Sequence, residues 1–512
     1  MALNNISFVL GQGGLGRPLP GEDYISGLIF YTSGGLPIGF SSSSPVKQIF
    51  SVAGAEAAGI TNDYSDAVAA QAIIHIGTAG NPGDFVMPDY TSSTGTLYNL
   101  GKYTVTSAES SAALQAAALA AVINNGTNTH GCTASASAAN VTITLPVKEG
   151  IYPNTGMPVG LSTSGSAVVA TLTQPSAATQ GTASVLAVWH YHISEYFRLQ
   201  PQGNLYVGVF AVPDGYTFTE INTLQSFANG KIRQVGIFKQ SEAFNAGDLT
   251  AIDTQCKLQA TAHKELIALY AADMAGITDL STLADLSQYS ANTVSAVIGQ
   301  DGAAAGAQLF KATGKSVTTL GAALGAVSAA AVNESIAWVQ KFNISNGTEC
   351  DTPAFANGTL FNSTAITDNL LTLLQNRRYI FLRRFTGVAG SYFNECSTAT
   401  SLTSDYAYIS DNRTIQKATR GVYAALIPAL NSTVQLNADG TLSDVASAYF
   451  TTLAEEPLHQ MARNGEISAQ QVVINAAQNV LSTGVVVITI NIVPTGTARN
   501  IQVNIGFNVS IN

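Results

Sequence analysis

Three stretches of the chain carry residue types at spacings that chemistry uses. His190 and His192, two apart, point to one face of an expected strand, as two metal ligands would. No Asp or Cys completes a ligand set beside them and the other four histidines lie apart, so ordinary aromatic-rich packing is the competing reading. Gly314-Lys315-Ser316 has the ending of a phosphate loop, but the position five before Gly314 is Leu309, where that loop requires glycine. Gly11, Gly13 and Gly16 match the dinucleotide fingerprint in spacing. Arg17-Pro18-Leu19-Pro20 then stands where the helix must begin, and without a helix N-terminus no phosphate is held, so a flexible arm is expected there. There is no Gly-x-Ser-x-Gly nucleophile elbow, and no carboxylate pair stands out from ordinary helix surface. The expectation is a protein that is not an enzyme, with no cofactor and no metal.

Composition points the same way. A length of 512 residues exceeds what one core usually serves, so two to four domains are expected. Asp, Glu, Lys and Arg make up 11% of the chain, against about 25% in typical soluble domains. Ser, Thr, Asn and Gly must supply solubility, and a net charge of -10 argues against a nucleic-acid partner. Low charge also suits a protein that buries its surface against copies of itself, because interface cores are depleted of charge. No run of 18 apolar residues occurs, so no direct membrane insertion is expected. Met1-Ala2-Leu3-Asn4-Asn5 lacks the basic and apolar regions of a signal peptide, and a cytosolic place of synthesis is the expectation. Cys132, Cys256, Cys350 and Cys396 are too scattered for a disulfide scaffold or a zinc site and read as free buried thiols.

The element on which the organisation turns is the last. Ile501, Val503, Ile505, Phe507, Val509 and Ile511 alternate without a miss against Gln502, Asn504, Gly506, Asn508 and Ser510. That is the period of a strand with one buried and one wet face. Gly484 to Val493, with Val487 inside it, is almost wholly apolar and reads as a strand covered on both faces, with a turn at Pro494-Thr495-Gly496. Ile6, Phe8 and Leu10 alternate as a short strand near the start. An apolar terminal strand templates aggregation unless something pairs with it. Two partners stay open: a hairpin closing its own sheet, or donation to a neighbouring subunit through main-chain hydrogen bonds.

Between these ends the pattern is α/β. Pro45 to Gly59 looks helical. Leu205 to Val212, a helix at Thr219 to Phe227 and Ile232 to Phe238 form an expected parallel strand-helix-strand unit. Helices are expected over Ala260 to Ala275 and Val317 to Val339, strands over Val294 to Gly299 and Arg378 to Phe385. Two more helices follow, Asn412 to Leu426 and Leu442 to Arg463, the latter broken at Pro457. Residues 77–187 differ, with short strands and one Ala-rich helix, Ser110 to Ile123, and read as a β-rich domain inserted into the α/β one. The resulting division is an N-terminal arm (1–30), an α/β middle domain (31–76 with 188–375), the insertion (77–187) and an α+β C-terminal inner domain with its terminal strands (376–512). Arg413, Lys417 and Arg420 lie at i, i+4 and i+7 on one helix face. That stripe is either a solvated surface with local salt bridges or a contact with a partner.

Several blocks together resemble the sheath proteins of contractile phage tails and related injection machines. Glu56-Ala57-Ala58-Gly59-Ile60-Thr61 and the run from His190 to Arg198 through Pro201 into Leu205-Tyr206-Val207-Gly208 are similar to the family's middle region. Arg384-Phe385-Thr386-Gly387, Gly390-Ser391-Tyr392-Phe393, Ser404-Asp405-Tyr406 and the helix Asn412 to Arg420 are similar to its C-terminal region, and the last two strands fit its final pair. Leu114 to Asn154 resembles a module often inserted in tail proteins. The resemblance implies a homo-oligomeric subunit that polymerises as stacked rings around a tail tube protein, meets baseplate and tail terminator proteins, and contracts to drive the tube through an envelope. It implies a virion tail assembled in the host cytoplasm, outward-facing middle domains, an inner C-terminal domain, and arms threading into neighbours. On this reading the terminal strands are subunit contacts and the basic stripe touches the tube. A surface or fibre-like protein and an α/β enzyme are the alternatives.

Overall fold

The computed structural model describes residues 22–164 and 168–507. Its centre is β1 (Ile25–Thr32), a strand of eight residues all buried, which places it inside a sheet covered on both faces. The chain then forms β2 (Val46–Ile49) and α1 (Val52–Ala57), whose first turn is capped by the Ser51 hydroxyl accepting from the Gly54 amide at 3.2 Å. A strand therefore begins the stretch expected to be helical throughout. After the insertion come α2 (Val185–Leu199), β3 (Asn204–Ala211), α3 (Glu220–Phe227), β4 (Gln234–Ala243), α4 (Gly247–Thr261), β5 (Ile267–Asp273) and β6 (Val294–Ala296). These strands make one sheet in the order β6-β5-β4-β1-β3-β2, parallel except for β2. The expected strand-helix-strand unit is parallel, with β1 lying between its two strands. Reversal of strand order on the two sides of β1 defines a doubly wound sheet.

Helices cover both faces. Leu28 and Phe30 of β1 pack with Trp189, Ile193 and Tyr196 of α2, while Ile29 and Tyr31 share the opposite core with Leu224 of α3 and Ile252 of α4. Two further helices follow, α5 (Ala305–Thr313) and α6 (Leu320–Ala329). Nearly all of α6 is buried, and its glycines let it lie directly on α2: a Cβ at Gly321 would stand 2.2 Å from the His192 carbonyl oxygen, and one at Gly325 2.7 Å from that of Tyr196.

Two further expected helices differ from those observed. Ala260 to Ala275 is the end of α4 followed by β5, because Ile267 to Asp273 is buried on both sides between β4 and β6, and that environment overrides helical propensity. The Ala-rich helix stops at Ala329 rather than Val339. There the Arg413 guanidinium donates to the carbonyls of Ala330 and Ala331 at 3.1 and 3.2 Å, supplying partners that a longer helix would have provided.

The β-rich stretch has a core of its own, which runs from Ala70 to Val168. Two four-stranded sheets flank a helix, Ala112–Asn125, close to the expected one. Its two ends meet: the Val68 amide donates to the Thr182 hydroxyl at 2.8 Å and the Thr182 amide to the Val68 carbonyl at 3.0 Å.

The last part of the chain contains α7 (Ile409–Leu426), α8 (Asp444–Arg463), β7 (Ile467–Ile474) and β8 (Ile488–Pro494). Helix α8 runs unbroken through Pro457, which is buried within it. The core here is small, centred on Ala418, Leu458, Met461 and Ile467. Helices and several sheets over more than one core make this a multi-domain α/β protein.

Candidate assembly interface

The residues with apparent chemistry are structural. His190 and His192 lie on helix α2, not on a strand, and so turn to different surroundings. His190 Nε2 meets Glu56 Oε1 at 3.0 Å. His192 is fully buried, edge-on to Phe238 with ring centroids 4.3 Å apart, and its Nδ1 accepts from the Gly321 amide at 3.3 Å. Among the described residues no group of three or more His, Cys, Asp or Glu is placed to hold a metal ion. At Gly314-Lys315-Ser316 the Asp273 carboxylate takes the Lys315 ammonium at 2.8 Å and the Ser316 amide at 2.9 Å, so the chain's own anion fills that loop. A crevice of about 610 Å³ opens where the carboxyl ends of β1 and β4 diverge, the usual ligand position in such sheets. Beside it the N-terminus of α2 is again filled from within: Asp66 accepts from the Val185 and Leu186 amides at 2.8 and 3.1 Å. All four cysteines are free and buried, and burial pushes the thiols of Cys132 and Cys256 up to about 12.

Burial has a measurable consequence at His192. It pushes the imidazole's pKa down to about 3, from an ordinary value of 6.5. Below pH 6.5 the unfolded chain binds a proton that the folded chain refuses. The contribution is therefore complete above about pH 6.5 and falls by about 1.4 kcal/mol per pH unit as the solution is acidified towards the folded pKa. His192→Asn places an amide oxygen where Nδ1 stands, which keeps an acceptor for Gly321, and removes the titration. Thermal melts between pH 7.5 and pH 5 should show a smaller acid loss for the variant, by about 2 kcal/mol at pH 5; parallel losses would rule the group out.

The basic stripe of α7 is on one face, as its spacing predicts, but that face turns inward. Arg413 is 3% exposed. Lys417 Nζ lies 2.7 Å from Asp23 Oδ2 and 2.5 Å from Glu466 Oε1, and Arg420 Nη2 lies 2.9 Å from Asp23 Oδ1. Burial pulls the guanidinium pKa of Arg413 and Arg420 down to about 10, against the pull of Asp23. Neither a solvated surface nor a free contact face describes these residues, and the expected tube contact at Arg413, Lys417 and Arg420 is corrected accordingly. The acids that partner them, Asp23 and Glu466, lie far off in sequence.

The exposed chemistry lies at the C-terminal strands. β7 and β8 pair antiparallel, with Val472 opposite Ile490. Val472, Ile490 and Ile492 turn to the small core beside α8, while Gln471, Thr489 and Asn491 face out. The run Gly484 to Val493 is thus covered on one face, not two, and Val487 is exposed. Its partner is β7 rather than the terminal stretch. Among the described residues neither edge of this two-stranded ribbon carries a third strand.

Beyond Pro494 the chain to Phe507 makes no strand pairing. Arg499 fixes its root, with Nε 3.0 Å from Glu395 Oε2 and the guanidinium 3.5 Å over the Tyr408 ring. Ile501, Val503, Ile505 and Phe507 then stand in the open, Val503 being the least exposed at 75%. Val509 and Ile511, like Ile6, Phe8 and Leu10, lie outside the described residues. No helix among the described residues is long and apolar enough to cross a membrane.

A doubly wound α/β body with a β-rich insertion and a C-terminal part presenting unpaired apolar strand sequence defines the class of molecule. Residues 3–397 match the family described as DUF2586, N-terminal domain, and residues 405–512 that described as DUF2586, C-terminal domain. The chain belongs to the DUF2586 family. No curated protein matches it. Among solved structures it is similar to the anti-feeding prophage helical sheath in its contracted state, at 15% identity and TM-score 0.44, over 64% of this chain and 84% of that one. It is also similar to the 6-fold symmetrised anti-feeding prophage baseplate (13%, TM-score 0.43, 62% and 80%). A third is the contracted PVC sheath complex of an extracellular contractile injection system (14%, TM-score 0.40, 63% and 80%).

Proposed function

We propose that this protein is a structural subunit of a contractile tail sheath, polymerising as stacked rings around a tail tube and contracting to drive that tube through a target envelope. The observation that carries the reading is one molecule holding both halves of a strand-addition contact. Among the described residues the ribbon β7–β8 has open edges, an apolar inner face (Val472, Ile490, Ile492) and an outer face that mixes Gln471, Thr489 and Asn491 with exposed Val473 and Val493. The tail offers Ile501, Val503, Ile505 and Phe507 against Gln502, Asn504 and Gly506. Added to a ribbon edge, it extends both faces at once and satisfies the edge's free backbone groups. The occupant is the tail of a second copy of this chain. Resemblance of the sequence blocks to sheath proteins supports the tube, baseplate and terminator as further partners, and the low charge supports extensive self-contact.

Work is done on this reading by subunits moving from a less to a more buried packing, with no nucleotide consumed. Negative-stain microscopy of the purified protein tests it: long hollow cylinders are expected, and discrete globules at all concentrations and salts would overturn it.

A further inference from the structure

The C-terminal part has only a small core of its own, and it is seated on the α/β body by Ile409 in the main core, by Tyr423 stacked on His263 with ring centroids 3.8 Å apart, and by polar bridges. Some are single hydrogen bonds: Asn333 Nδ2 donates to the Gly465 carbonyl at 3.1 Å, and Gln416 Nε2 to the Leu266 carbonyl at 3.3 Å. One is a cluster of charges around a single residue, Asp23. Its carboxylate takes Lys417 and Arg420, and its backbone carbonyl accepts from Arg413 Nη2 at 3.1 Å and from Gln234 Nε2 at 3.1 Å. Lys417 continues to Glu466, the residue before β7, and Glu22 pairs with Arg233 at the start of β4. A cavity of about 190 Å³ beside the cluster is lined by Arg233, His263, Lys417, Arg420 and Tyr423, with Glu22 and Asp23 on its wall.

Asp23 therefore touches three things that function must hold in register. It stands two residues before β1, the central strand. Only Glu22 separates it from residues 1–21, which hold Ile6, Phe8 and Leu10. And all three cations that grip it come from α7, whose small core includes the ribbon. The charges are matched: Arg233, Lys417 and Arg420 pair with the carboxylates of Glu22, Asp23 and Glu466, Arg413 donates to the Asp23 carbonyl, and Glu265 lies near Arg420. Burial alone would raise the Asp23 pKa, but Lys417, Arg420 and Arg413 together hold it below the usual carboxylate value. Removing one charge from such a set leaves the others buried without compensation.

We propose that Asp23 is the positioning residue of assembly: it seats the C-terminal part, with its donor tail and acceptor ribbon, against the root of the N-terminal segment. The inference rests on the sheath reading for its purpose, but its test does not need polymer. Hydrogen exchange is followed on unassembled protein for the wild type, Asp23→Asn, Lys417→Met and the double variant. Asp23→Asn keeps the side-chain size and the backbone acceptor. Exchange over residues 409–494 is expected to rise about tenfold or more, while β3, β4 and β5 stay protected. The double variant is expected to exceed Lys417→Met by less than Asp23→Asn exceeds wild type, because the two share one contact. Should Asp23→Asn fail to fold, the confined rise in Lys417→Met alone carries the comparison. Unchanged exchange, a rise spread evenly over the body, or additive effects would overturn the proposal. Seating intact without cylinders would count against the sheath reading and leave this one standing.

Discussion

Ending the chain after Arg499 abolishes cylinder formation while the α/β body melts at the temperature of the full-length protein. The cut is placed there because Arg499 is tied to Glu395 and Tyr408, whereas Ile501 to Phe507 contact nothing that the body needs. Burying each of the four exposed apolar side chains on docking contributes about 1.5–3 kcal/mol, so roughly 6–12 kcal/mol in gross. Association itself costs at least about 4 kcal/mol, and micromolar assembly requires about -8 kcal/mol net. A contact of this size thus decides whether subunits join at working concentrations, and the rest of the interface does not replace it. Ile505→Asp should act almost as strongly, since a carboxylate would have to enter the apolar row. Microscopy and sedimentation read the assembly state and a thermal melt reads the body. Normal cylinders from the shortened chain would show that the tail is not the donor strand.

How much of this was legible in the sequence depends on the range of the interactions involved. Local pattern located the strand Asn204–Ala211, the helix Ala112–Asn125 and helix α7 within a few residues, because their periodicity is their own. It failed where neighbours decide. Ile267 to Asp273 reads as helix until β4 and β6 enclose it. His190 and His192 read as strand residues because Tyr, Ile and Phe around them favour strands, yet Ser184 caps a helix there, its hydroxyl accepting from the Ala187 amide at 2.9 Å. The basic stripe shows the limit most plainly. Its spacing put three cations on one face, but whether that face is wet depends on Asp23, about 390 residues earlier, and on Glu466, across the turn into β7. One signal was present: Glu22-Asp23 is an acidic pair two residues before a wholly buried strand, in a chain with few charges. The pairing of β8 with β7 was not legible, because local pattern does not say which strand lies alongside which.

Gly321→Leu is expected to cost the body about 3 kcal/mol or more, the upper end of what overpacking does. Any Cβ at this position meets backbone: the His192 carbonyl oxygen at 2.2 Å and the His192 Cα at 2.7 Å. Neither atom can rotate aside, as a side-chain end could. Relief would require α6 to move off α2, and its other side is committed. A Cβ on Gly236 of β4 would come within 3.3 Å of Leu324, so helix and sheet are already in contact there. The Gly321 amide also donates to His192 Nδ1, a bond that separation of the helices would leave unmade inside the core. A domain of this size loses about 2–4 °C of melting temperature per kcal/mol, so a fall of about 6–12 °C is expected. Gly276→Ala is the control, because a Cβ there meets nothing within 4 Å and the change should be silent. A Gly321→Leu protein that melts within a degree or two of wild type would mean that α2 and α6 are not held in direct backbone contact, and the packing that supports the sheet would have to be redrawn.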